Sequence, residues 1–111
     1  MATTDATSGP LAAIDLGTNT IRLLIARPRP GGGLERLADR SVTARLGQGV
    51  DKTGRLDPER IARAVEAIAA HAAEARAAGA ARPTVLATSA VRDAANRADL
   101  LDAVRERTGL E

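Results

Sequence analysis

The apolar positions near the start of the chain fall into two short runs, Leu11–Leu16 and Thr20–Arg27, the second rich in β-branched and aliphatic side chains. Both read as strands. Proline and three glycines follow in Arg27-Pro28-Arg29-Pro30-Gly31-Gly32-Gly33, which predicts a stop in pairing and a hairpin turn, because proline has no N–H to give a ladder. The glycine run lacks the following helix and Lys/Ser of a phosphate loop, so a connector is the better reading. Leu34–Arg45 supplies a third strand with imperfect alternation. At Asp57-Pro58-Glu59 an Asp cap, a proline and an acid coincide as a helix start. Ile61, Ala64, Val65, Ile68 and Ala72 then recur at helical spacing, and Gly79 closes the helix in a left-handed conformation. Thr84–Thr88 reads as an apolar strand of a sheet covered on both sides. Asn96 is the expected cap of a last helix with Leu100, Leu101 and Val104 facing inward and Gly109 at its end.

Three strands, helix, strand, helix is an α/β order, with the fourth strand parallel to the first because a helix crosses between them. Ligands gather at the carboxyl ends of the parallel strands in such sheets. The first strand would end at Asp15 and Gly17 and the fourth at Thr88 and Ser89, which opens both loops onto one edge.

Composition limits the core more than it directs the function. The 111 residues contain no Phe, Tyr or Trp, so Leu, Ile and Val supply the large apolar volume, at roughly 1.5–3 kcal/mol per fully buried side chain. Marginal stability is expected if one sheet face has nothing to pack on. The net charge is only +2, with cations scattered among acids. A nucleic-acid partner is not expected, since a clustered basic stripe and stacking aromatics are both missing. The absence of cysteine fits a cytoplasmic protein. Met1–Pro10 has neither a basic start nor an apolar stretch and reads as a short disordered lead before a domain at 11–111. No run reaches the ~20 apolar residues that cross a bilayer, so no membrane partner is expected. His71 lacks a partner at ligand spacing and reads as a helix-surface residue rather than a metal ligand.

The chemistry concentrates in the turn between the first two strands. A lone carboxylate, Asp15, beside a glycine turn can hold a hydrated divalent cation against a phosphate. Gly17 lets the backbone come close, while Thr18, Asn19 and Thr20 offer hydroxyls, an amide and main-chain N–H donors. The same residues also suit an ordinary hairpin. Arg92 has the planar donors that suit phosphate, although spacing alone equally allows a surface pair with Asp93 or Glu106. Arg22 either faces the cleft or caps the sheet edge.

Ile14-Asp15-Leu16-Gly17-Thr18-Asn19-Thr20 resembles the first phosphate motif of the actin-like ATPase superfamily, the first hairpin of a ribonuclease-H-like lobe. Thr84-Val85-Leu86-Ala87-Thr88-Ser89-Ala90-Val91-Arg92-Asp93-Ala94-Ala95-Asn96-Arg97 resembles the exopolyphosphatase / guanosine pentaphosphate phosphohydrolase family. Arg45-Leu46-Gly47-Gln48-Gly49-Val50-Asp51-Lys52-Thr53-Gly54-Arg55-Leu56 is similar to the segment by which bacterial members leave their third strand. The resemblance implies an incomplete ribonuclease-H-like lobe, forming the N-terminal part of domain I. It implies hydrolysis of a terminal phosphoanhydride in polyphosphate or guanosine pentaphosphate, and a homodimer for the full-length protein. Its site would have Mg²⁺ at Asp15, phosphate cradled by Gly17, Thr18, Asn19 and Thr20, and Arg92 as clamp and catalytic residue. The family's water-activating glutamate, in a G-E-E-A-R-like stretch, and its D-x-G-G-G-S motif have no match here. Weak phosphate binding and little turnover are therefore expected of these 111 residues alone. Two rivals stand beside this reading: a nucleotide-binding ATPase lobe of the chaperone or bacterial-actin type, and a non-catalytic fragment that associates through its sheet edge.

Overall fold

In the computed structural model, which describes residues 9–80 and 82–110, strand β1 (Leu11–Leu16) turns directly into β2 (Thr20–Pro28), pairing Leu16 with Ile21. Strand β3 (Leu34–Thr43) continues the antiparallel meander. After a short helix α1 (Val50–Thr53), the long helix α2 (Pro58–Ala77) crosses to β4 (Thr84–Ala87). Strand β4 lies parallel to β1, so the sheet order is β3-β2-β1-β4. A single turn, α3 (Ser89–Arg92), leads into α4 (Arg97–Thr108). This is the expected α/β order, with α1 and α3 as additions too short to leave a periodic trace.

Alternation sorts the sheet residues onto two unlike faces. Ile14, Leu16, Ile21, Leu23 and Ile25 are fully or almost fully buried. The expected stripe of α2, Ile61, Ala64, Val65, Ile68 and Ala72, and Leu100 and Val104 of α4 complete the same aliphatic core. Leu101 is 45% exposed. It does not face inward with Leu100 and Val104, because adjacent helix positions point about 100° apart.

The described residues leave the opposite sheet face uncovered, contrary to the expectation drawn from the apolar β4 run. Leu11, Leu34 and Leu86 there are 56%, 63% and 52% exposed. A run of apolar residues in a strand reports two apolar faces, but not whether a layer lies against each. Imperfect alternation in β3 has a plain cause. The register slips between Ile25 and Ala26, which pair with Ala38 and Arg36, so Leu37 is the extra residue of a bulge. Strand β3 stops at Thr43, short of the expected Arg45, while β2 pairs one residue further, to Pro28.

His71 is a correction. It is 4% exposed, with Nε2 at 3.1 Å from the Ile21 carbonyl oxygen, and since a carbonyl only accepts, Nε2 carries the proton. The alanines around it bring α2 close to the sheet, and 71 lies three places after Ile68 on the buried stripe. Asn96 is another. It stands at the α4 N-cap position but makes no capping hydrogen bond. Instead its Oδ1 accepts from Leu56 N–H at 2.7 Å and its Nδ2 donates to Leu56 C=O at 2.9 Å. Asp57 likewise occupies its N-cap position without a side-chain cap bond. Gly79 (φ 101°) closes α2 as expected, with Ala80 N–H reaching back to the Ala75 carbonyl at 2.9 Å. The lead at 1–10 falls, apart from Gly9 and Pro10, outside the described residues.

Candidate functional site

Parallel pairing of β1 with β4 puts their carboxyl ends side by side. Leu16 is opposite Ala87, and Thr88 N–H donates to the Leu16 carbonyl at 3.2 Å. The turn after β1 and the turn after β4 therefore share one sheet edge. Asp15 sits one place before that edge, exposed, and alternation puts it on the face opposite the helices.

Turn 17–19 is built tightly. Gly17 N–H donates to the Thr20 carbonyl at 3.0 Å, and a Cβ on Gly17 would stand 2.9 Å from that oxygen. The close approach that requires glycine is thus to the chain's own backbone. The loop after β3 takes up the other carbonyls: Thr18 C=O accepts from Gly47 N–H at 2.7 Å, and Asn19 C=O accepts from Ala44 and Arg45 N–H at 3.0 and 2.9 Å. Among the described residues the N–H groups of Thr18 and Asn19 have no backbone acceptor. The turn is thereby polarised, with acceptors tied into the fold and donors left open, the arrangement that attracts an anion. Thr18 and Asn19 are exposed, whereas Thr20 is half-buried as the first residue of β2.

Holding those carbonyls has a conformational cost. Arg45 has φ 51°, the one non-glycine residue at positive φ among those described. Such a conformation costs on the order of 1–3 kcal/mol and persists only where the surroundings enforce it. Here the enforcers are the paired N–H bonds to Asn19 and the Gln48 N–H bond to the Arg45 carbonyl at 3.1 Å.

Helix α3 presents Arg92. Val91 and Arg92 N–H donate to the Thr88 carbonyl at 3.1 and 2.9 Å, and Val91 is buried. Arg92 is exposed, and among the described residues its guanidinium forms no ion pair, with neither Asp93 nor Glu106 engaging it. Arg97 donates from Nη1 to the Arg92 carbonyl at 2.8 Å. Thr88 Oγ1 is buried without a hydrogen-bond partner among the described residues. Residue types and spacing pointed to Arg92 but not to Arg97 or to the Asn96 clip beside it, because each acts on a carbonyl that the sequence does not show to be near.

Arg22 resolves to one of its two expected roles in part. It shares the uncovered face with Asp15, its Cα partner in the ladder, but its guanidinium grips Asp39 at 2.9 and 2.7 Å. The hydrogen bond from Arg22, reinforced by its charge and that of Arg36, holds the Asp39 carboxyl below its ordinary 3.8, against a smaller opposing effect of burial. Asp39 in turn raises Arg22. A depressed folded value gives stability that is present above the unfolded pKa and lost as pH falls through the folded one. In Arg22→Met, Asp39 is expected to titrate at higher pH by NMR, and the stability gap to the parent to close below the parent Asp39 pKa. Identical Asp39 titration in both proteins would show the pair to be idle.

No group of three or more His, Cys, Asp or Glu able to cage a metal occurs among the described residues. Mg²⁺ does not need one, since it is commonly held by one or two carboxylates together with substrate phosphates and water. Asp15, exposed and without a hydrogen bond from Arg22, whose pKa its charge helps to raise, fits that pattern. No helix is long and apolar enough to cross a membrane among the described residues.

Residues 24–111 match the model of the Ppx/GppA phosphatase family. Exopolyphosphatase 2 of Mycobacterium tuberculosis is 48% identical over 90 residues, covering 78% of this chain and 28% of that protein. Exopolyphosphatase 1 of Mycobacterium bovis is 35% identical over 101 residues, or 91% of this chain and 29% of that one. The crystal structure of the Aquifex aeolicus Ppx/GppA family member superposes with a TM-score of 0.85 at 30% identity, covering 92% of this chain and 33% of that one. An exopolyphosphatase from Cytophaga hutchinsonii gives 0.85 at 25% identity, covering 92% and 32%. The chain thus spans under a third of the length of the curated relatives it matches.

Proposed function

This chain belongs to the Ppx/GppA phosphatase family, and from that premise we propose that it supplies the first phosphate-binding half of a hydrolase that releases terminal phosphate from inorganic polyphosphate. One juxtaposition carries the reading: a turn with its carbonyls tied back and its amides open lies on the same sheet edge as the turn bearing an arginine that is unpaired among the described residues. In this proposal the Thr18 and Asn19 amides and the Thr20 segment cradle a phosphoryl group. Arg92 binds its oxygens and stabilises the charge that spreads over them as water attacks phosphorus and the anhydride P–O bond breaks. Asp15 would hold Mg²⁺, which when bound neutralises phosphate charge. Polyphosphate is preferred over guanosine pentaphosphate because the matched mycobacterial relatives are exopolyphosphatases.

Titration of the 111-residue chain with tripolyphosphate in the presence of Mg²⁺, followed by backbone amide NMR, tests the proposal. Shifts are expected at Thr18, Asn19 and Arg92. Arg92→Ala is expected to lower affinity about 10- to 100-fold, the worth of one charge-assisted contact, while the circular dichroism of the fold is unchanged. Asp15→Asn is expected to remove the Mg²⁺ dependence. Equal tripolyphosphate affinity in the parent and both variants would sink the assignment, and saturable ATP binding in preference to tripolyphosphate would replace it with a nucleotide-binding lobe.

A further inference from the structure

Beside the 17–19 turn lies a concavity of about 330 Å³ lined by Thr18, Asn19, Arg45, Gly47 and Gln48. Its lining contains no carboxylate. Arg45 is exposed, and among the described residues its guanidinium has neither an ion pair nor a hydrogen bond. Several other arginines are engaged, at Asp39, Glu35, Glu74, Asp57, Asp102 and Glu66. An arginine kept in a left-handed backbone conformation, where glycine or asparagine would sit at less cost, is a position at which the side chain has a reason to be there. The backbone bonds that impose the conformation need only the Arg45 N–H and carbonyl, which any non-proline residue supplies.

We propose that Arg45, with the Gln48 amide beside it, is a second anion-holding element that takes the next phosphoryl group of a chain whose first group is held by the turn and Arg92. It would make the site read chain length. Gln48 also lines a neighbouring depression that contains Arg55 and the Asp57–Arg60 pair, 3.7 Å apart. A planar guanidinium binds two oxygens of one phosphoryl group at once, and the Gln48 amide adds a donor without adding charge. This inference rests on the phosphate-binding reading of the turn, and the experiment separates the two.

The 111-residue chain is titrated calorimetrically with orthophosphate and with tripolyphosphate, in the parent, Arg45→Gly, Arg92→Ala and a charge-matched control, Arg29→Ala, in the loop at the far end of the β2–β3 hairpin. Arg45→Gly is expected to weaken tripolyphosphate about 5- to 20-fold while changing orthophosphate less than about 2-fold. Its melting temperature is expected to stay level or rise, since glycine relieves the backbone. Arg92→Ala is expected to weaken both ligands, and Arg29→Ala neither. An unchanged tripolyphosphate-to-orthophosphate ratio in Arg45→Gly, or an equal loss in Arg29→Ala, overturns the role of Arg45 and leaves the phosphate reading intact. A parent that binds neither ligand, or binds them independently of Arg92, overturns both.

Discussion

Asn96→Ala is expected to destabilise the fold by about 2–4 kcal/mol, because it strands a buried N–H and a buried C=O at once, each worth roughly 1–3 kcal/mol when left unsatisfied. Both belong to Leu56, which is 2% exposed, and among the described residues both bond only to the Asn96 side chain, at 2.7 and 2.9 Å. The clip joins the loop before α2 to the segment before α4, with the Ala95 N–H to Gly54 carbonyl bond at 2.8 Å as its neighbour. A domain of this size has on the order of 5–15 kcal/mol in all, so the variant should unfold at a visibly lower urea midpoint. Asn96→Asp sharpens the test. Its carboxylate still accepts from the Leu56 N–H but turns a lone pair on the Leu56 carbonyl, so the loss should be large at neutral pH. Protonation restores a donor, so the loss should shrink in mild acid. A parent-like urea midpoint for Asn96→Ala would mean that the clip contributes nothing.

Gly47→Ala is expected to cost about 1–3 kcal/mol, the range for forcing a methyl into a filled site. Its Cβ would stand 2.8 Å from Thr18 Cβ, 3.0 Å from Cγ2 and 3.1 Å from Cα. The last of these is backbone and cannot rotate away. Because Gly47 N–H also holds the Thr18 carbonyl at 2.7 Å, relief of the clash moves the turn itself. Stability should fall, and tripolyphosphate affinity should fall with it. Thr18→Gly removes two of the three offending atoms, so the double variant should recover part of the stability, with a coupling of about 0.5 kcal/mol or more in a double-mutant cycle. Additive losses would show that residues 18 and 47 do not meet as described.

His71, Asn96 and Leu101 show where a linear reading stops. Each lies in the element expected for it but in surroundings other than those expected. Position 71 lies on the apolar stripe, yet a histidine there is ambiguous until the Ile21 carbonyl is found beside it. Asn96 stands where a cap belongs, but Leu56, 40 positions away, competes for its amide. The bulge at Leu37 likewise depends on how two strands meet, not on either alone.

The chain's local grammar was enough for the order of strands and helices, for the parallel return of β4 and for the family, since periodicity, turn residues and motif spacing are properties of neighbours in sequence. It was also enough to nominate Asp15, the Thr18–Thr20 turn and Arg92. What required folding was every contact between distant segments: the loop of Ala44–Gly47 drawing in the turn's carbonyls, the strained Arg45 beside it, the Arg22–Asp39 pair that leaves Asp15 ungripped, and the bare face of the sheet. Hydrogen-bond satisfaction is a global accounting, so which donors stay open for a ligand is settled only when every other partner has been placed.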